Sequence, residues 1–236
     1  MTRLWALVAC LMLVPPAMAQ PVTRIKATLI DFDGKVMQLA SDAAPKDQSL
    51  SVSVTPDTRY VVSRNAQLAD LRLGNWAGAL VRASTRGELK ASRVYVYADA
   101  LRGTGEGRFP DKDHLLVNGE VMRIDFDSDM GGVLTLHYRG AVLTQTAGRR
   151  AICEGRANPA PYASALGCAD DARIAVGADV PVSSLTVGTA DLLTPGVTLT
   201  VSMTKRPDGS LIAAGVVVEK PDMPEEKSLE KAPPKP

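Results

Sequence analysis

The chain is expected to be all-β and to fold as two tandem five-stranded small barrels. Three observations predict this: apolar residues recur with a period of two, glycine and proline punctuate them at short intervals, and the pattern occurs twice. Ile30-Asp31-Phe32-Asp33 returns as Ile124-Asp125-Phe126-Asp127. Gly87-x-Leu89-x-Ala91-x-x-Val94-x-Val96 returns as Gly209-x-Leu211-x-Ala213-x-x-Val216-x-Val218. The opening motifs are 94 residues apart and the closing ones 122, so the second copy carries 28 additional residues. Closing each copy into a barrel removes the strand edges that would otherwise template aggregation.

Residues 1–19 read as a cleavable secretory signal. Arg3 is its charged start, 4–14 its apolar core, and Ala17-Met18-Ala19 its small-x-small cleavage site. The apolar run is too short to span a bilayer and is broken by Pro15-Pro16. Leu7-Val8-Ala9-Cys10 resembles the box before a lipidated cysteine but lies inside the apolar core. Cleavage predicts a periplasmic protein of 217 residues with 26 basic and 26 acidic side chains.

The first barrel is expected over 20–100. Ile25, Ala27 and Leu29 alternate with Lys26, Thr28 and Ile30, Asp33-Gly34 turns the chain, and 36–39 returns as a second strand. Leu50, Val52 and Val54 alternate with polar residues, and Pro56-Asp57 turns into Tyr60-Val61-Val62. A short helical or 3₁₀ piece over 67–73 leads to a hairpin of 76–83 and 89–97. Residues 101–115, with Arg102, Gly103, Gly105, Glu106, Gly107 and Arg108, are expected to form a flexible glycine-rich linker. The second barrel spans 116–220, with strands over 116–124, 133–138, 174–182, 197–203 and 211–218, a helical or 3₁₀ piece over 184–193, and a cysteine-bearing insertion at about 149–171. The segment 221–236, rich in Pro, Glu and Lys without apolar period, is expected to be disordered.

Only two cysteines follow the signal, and in an exported chain Cys153 and Cys168 are expected to form a disulfide. It would close a loop of about 15 residues, worth about 3 kcal/mol in the chain-entropy model. A thiol metal or redox site lacks the Cys-x-x-Cys spacing. Asp125, Asp127 and Asp129 space oxygen ligands like a calcium loop, but Met130 and Leu136 stand where glycine and glutamate belong, so an acidic turn is the alternative. Asp111, Asp113 and His114 form a second sparse candidate for a divalent cation. No other cofactor is expected. Gly103, Gly105 and Gly107 lack the following helix of a phosphate loop.

Balanced charge and 10 aromatic residues argue against nucleic acid as a partner. No nucleophile elbow or coherent Ser-His-Asp set is present, and Ser228-x-x-Lys231 lies in the C-terminal segment. No enzyme activity is expected.

The signal, the two alternating copies, Arg102-Gly103-Thr104-Gly105-Glu106-Gly107 and Pro207-Asp208-Gly209-x-Leu211-x-Ala213 together resemble a family of uncharacterised exported proteobacterial proteins. The resemblance implies tandem OB-like small β-barrels and export. Some members are labelled metal transporter permease, yet no stretch after residue 19 is long and apolar enough to cross a membrane as a helix. The expected function is a non-catalytic binding or assembly module for an envelope protein or extended ligand. The alternative is an accessory role in envelope metal handling.

Overall fold

The computed structural model describes residues 22–41, 49–84, 88–111, 113–127, 131–140, 142–144, 152–154 and 168–220. Their regular structure is strand and short 3₁₀ turns, with no α-helix among the described residues. The strands are β1 (Thr23–Phe32), β2 (Val36–Ala40), β3 (Leu50–Ser53), β4 (Arg59–Ala66), β5 (Trp76–Ala83), β6 (Leu89–Tyr97), β7 (Gly107–Asp111) and β8 (His114–Asp127). They continue as β9 (Gly131–Gly140), β10 (Val142–Thr144), β11 (Ile152–Glu154), β12 (Cys168–Val176), β13 (Val182–Val187), β14 (Thr198–Lys205) and β15 (Leu211–Glu219). Thirteen strands form one continuous sheet, and β10 with β11 forms a separate two-stranded one.

The period-two sequence produces the expected one-sided strands. In β1, Ile25, Ala27 and Leu29 are buried while Arg24, Lys26 and Thr28 are exposed. The turn after β1 is tied by Asp33, whose carboxylate accepts the backbone N–H of Lys35 (2.8 Å) and Val36 (2.7 Å). Those donors, Val36 first, lower its pKa. Gly34 sits at φ +91°, a conformation that favours glycine.

The pairing path returns on itself twice. β1 pairs with β2 and β14, β2 with β3, β14 with β15, and Ile212 of β15 meets Ser53 of β3. β5 pairs with β6 and β8, β8 with β9, β9 with β12, and β12 meets β6 at Ile174–Leu89. Between the two circuits β4 and β13 pair antiparallel, β4 also running parallel beside β15 and β13 beside β6. Each circuit encloses its own core, one around Leu29, Met37, Leu39 and Leu199, the other around Val81, Leu134, Leu136 and Ile174. Leu71 and Leu193, each just after a 3₁₀ turn, belong to these cores.

Strand pairing crosses the expected division at 20–100 and 116–220. The second circuit is drawn from the middle of the chain, whereas the first joins β1–β3 to β14 and β15 from the two ends. The reason is register: β1 finds its antiparallel partner in β14, with Thr23 opposite Met203, and β5 finds its own in β8. The pairing Val94–Val182 and the pairing Val216–Tyr60 are the same contact with both partners displaced by 122 residues.

Local expectations need adjustment too. The 3₁₀ turn Leu68–Asp70 falls inside the expected 67–73 piece, but 184–187 is strand and only Ala190–Leu192 is 3₁₀. The expected strand over 174–182 is two strands separated by a turn. The Ile-Asp-Phe-Asp match is also offset from the ladder. The N–H of Gly196 donates to Leu29 O (2.7 Å) and that of Gly74 to Val121 O (2.8 Å), making Leu29 the counterpart of Val121. Ile30 and Met122, at the bulges that follow, are both exposed.

Candidate functional site

The stretch 101–115 is not a loose connector. After β6 the chain makes a 3₁₀ turn over Asp99–Leu101, lays 102–106 across the outer face of β5 and β8, and enters β7, which pairs with β8. Gly103, Gly105 and Gly107 all adopt positive φ, which lets the segment fold back sharply. Arg102 donates to Gly74 O (2.5 Å) and lies 3.8 Å from Glu120. Trp76 Nε1 donates to Thr104 O (3.3 Å), and Asn118 Nδ2 donates to Gly105 O (2.9 Å). The Tyr97 hydroxyl completes the chain by donating to Asn118 Oδ1 (3.1 Å). Burial raises the Tyr97 pKa well above that of an ordinary phenol. Glu106 clamps Arg139 through Nε and Nη2 (both 3.0 Å) and accepts its backbone N–H (2.9 Å), and this partner raises the arginine's pKa.

A groove of about 640 Å³ opens at the end of the second circuit. The 3₁₀ turn Leu68–Asp70 forms one wall, held by the Gln67 N–H donating to Asp70 Oδ2 (2.8 Å). Arg72 is fixed beside it by donating to Leu71 O (2.9 Å) and Ala69 O. The far wall is the end of β8 with the turn before β13. Leu68, Ile124, Phe126, Val180 and Val182 give the groove an apolar lining, with Gln67, Arg72 and Asp127 in its wall. Such a surface buries apolar side chains and orients a ligand through a few polar groups.

Three of the expected cation ligands, Asp113, His114 and Asp125, are engaged otherwise. Arg82 Nε donates to His114 Nε2 (2.8 Å), so that nitrogen spends its lone pair on a hydrogen bond, while Nδ1 faces Asp113 Oδ1 (2.9 Å). Asp113 has a lowered pKa, chiefly from its own backbone N–H and then from His114. Asp111 is in β7. Asp125 pairs with Arg123 (2.6 Å), and both Asp125 and Asp127 are strand residues, not turn residues, because β8 runs on to Asp127. Asp129 lies outside the described residues. Among the described residues, no three His, Cys, Asp or Glu side chains converge as metal ligands.

Cys153 is in β11, opposite Leu143, and Cys168 opens β12 opposite Gly140. Cys168 is engaged in a further interaction. His137 meets Asp171 across β9 and β12 (2.7 Å), an exposed cross-strand pair. Arg108 lies in β7 opposite Val117.

Sequence reading passed over Trp76, Tyr97 and Asn118. The available signal was the unbroken run Trp76-Ala77-Gly78-Ala79-Leu80-Val81, which lacks polar alternation because both of its faces are covered. No family model matches the chain, and neither does any curated protein or solved structure.

Proposed function

We propose that the chain is an exported, periplasmic, non-catalytic binding or assembly module built on two OB-like small barrels. In this reading each copy of an internal repeat contributes three strands to one barrel and its closing hairpin to the other. The displacement of 122 residues between equivalent pairings supports the repeat. Packing of β11 against β12, together with the further interaction of Cys168, supports a Cys153–Cys168 disulfide that fixes the inserted segment.

The observation that carries the functional reading is the apolar groove beside Ile124 and Phe126. Its ligand is an extended segment of an envelope protein, whose apolar side chains enter between Leu68 and Phe126 while its polar backbone meets Gln67, Arg72 and Asp127. Barrel ends and inter-strand grooves are common sites for such ligands.

The test places a photo-reactive residue at position 124 in intact cells. One discrete protein adduct is expected, and Phe126→Asp should abolish it without changing the circular dichroism of the purified chain. Substrate turnover by the purified protein, lost on changing one polar side chain, would overturn the non-catalytic reading.

A further inference from the structure

At the end where the groove opens, the two circuits are built on corresponding residues that differ in size. The 3₁₀ turn Leu68–Asp70 corresponds to Ala190–Leu192, and the pair Val182–Ala66 corresponds to Tyr60–Gly188, each displaced by 122 residues. Ile124, paired with Leu134 beyond the bulge of β8, corresponds to Phe32, paired with Met37 beyond the bulge of β1. In the first circuit Tyr60, Leu192 and Phe32 all pack onto the core around Leu29 and Leu199. Gly188 makes room for the leucine: a Cβ there would stand 2.9 Å from Leu192 Cδ1 and 3.2 Å from Val62 Cγ2.

The second circuit replaces these side chains with smaller ones. Val182 stands for Tyr60, Ile124 for Phe32 and Ala66 for Gly188, and all three line the groove while resting on the core beneath it. Asp70 stands for Leu192, and its carboxylate is turned back onto the Gln67 N–H (2.8 Å). The walls are taller instead. Leu68 replaces Ala190, and the hairpin of β8 and β9 continues through the pairs Phe126–Gly132 and Asp127–Gly131, where that of β1 and β2 has already turned at Asp33-Gly34. The groove thus occupies the place that an aromatic and a leucine side chain take in the first circuit.

Its two walls carry opposite charges. Arg72 Nη1 is fixed on Ala69 O and Leu71 O, which leaves Nε and Nη2 without a partner among the described residues. Asp127, in the far wall, has none among them either.

We propose that the groove recognises an aromatic anchor: the bound segment inserts an aromatic side chain over Val182, between Leu68 and Phe126, with an acidic residue on one side of it against Arg72 and a basic residue on the other against Asp127. This rests on the groove being the binding site and names what its ligand must carry. The ring packs on Phe126 in the offset or edge-to-face contact that aromatic pairs favour. A carboxylate meets two parallel donors on Arg72, and the opposite charges of the walls fix the direction in which the segment lies.

The experiment selects a phage-displayed library of random 12-residue peptides on the full chain and titrates the enriched peptides. They should share one aromatic residue flanked by an acidic and a basic one, and changing the aromatic to alanine should weaken binding about 10–100-fold. The triple variant A66G, D70L and V182Y, which copies the first circuit, should abolish binding while keeping the circular dichroism of the wild type. R72E, at an exposed position, should replace the acidic preference with a basic one and keep the aromatic one. Peptides that need Phe126 but carry no aromatic residue would overturn the anchor and leave the groove as the binding site. An unchanged acidic preference in R72E would overturn the proposal too, and if no enriched peptide lost binding in F126D, the groove itself would fall with it.

Discussion

Gly78→Ala probes how tightly 102–106 is bound to the sheet. Gly78 lies in β5 directly opposite Asn118 of β8, without positive φ, so the backbone accommodates alanine without strain. The obstacle is packing: a Cβ there would stand 2.2 Å from Asn118 Oδ1, 3.1 Å from Tyr97 Cε2 and 3.2 Å from Tyr97 Oη. Overpacking of this kind costs about 1–3 kcal/mol. Asn118→Ala removes two hydrogen bonds, to Gly105 O and from Tyr97, at about 1 kcal/mol each. Simple addition puts the double variant at about 4 kcal/mol, using about 2 kcal/mol for each change. Asn118→Ala also deletes the atom that the new Cβ strikes, and Gly78→Ala displaces the side chain whose bonds Asn118→Ala removes. The two costs are therefore largely one cost, and the double variant should be destabilised by about 2–3 kcal/mol, a coupling of about 1–2 kcal/mol. Urea unfolding of the wild type and the three variants measures it. Additivity within about 0.5 kcal/mol would refute the claim that Gly78 is small because Asn118 and Tyr97 fill the space above it.

Other outcomes follow from the same geometry. A chain restricted to 66–187 contains all of β5, β6, β8, β9 and β12 with Leu71 and Val182, and should fold cooperatively. A chain restricted to 20–100 should not, because β1 lacks β14 and β5 lacks β8; circular dichroism and thermal melting distinguish them. Asp33, Asp113 and Asp208 all have pKa values below the usual 3.8. Each contributes stability above its unfolded value that is lost as pH falls through the lower folded one, so stability should drop below about pH 4, and changing all three to Asn should flatten that drop. Thiol labelling without reductant should find neither Cys153 nor Cys168 reactive, and reduction should cost about 3 kcal/mol. Two reactive thiols in freshly prepared protein would remove the proposed bridge.

The period of two made the strands legible. Ile25, Ala27 and Leu29 announce a buried face because each is flanked by a polar or exposed neighbour, and the structure buries all three. What the period does not encode is which strand lies beside which. Thr23 and Met203 carry no local mark of their pairing, so copies contiguous in sequence were the simpler expectation. Glycine spacing over 103–107 was visible, but its usual association with looseness concealed a segment held through Arg102, Thr104, Gly105 and Glu106 by partners on three strands, β5, β8 and β9. His114 looked like a ligand because the distant Arg82 that occupies its nitrogen comes from β5. The groove was hidden for the same reason: Leu68, Phe126 and Val180 meet only after the chain has folded.

The placement of β1–β3 and β14–β15 in one circuit also sets an order in time. The middle circuit is complete in the growing chain once Val176 has emerged, while β1, β2 and β3, made first, must wait for β14 and β15. At ordinary elongation rates the stretch from β3 to β14 takes roughly 10–30 s to make. Throughout that interval Leu29, Met37, Leu39 and Val52 lack Leu199, Val201 and Val216, the residues that later bury them. β1–β3 are thus made before the strands of the middle circuit and sheltered after them, which makes them the part of the two circuits most in need of a holding factor while the chain grows.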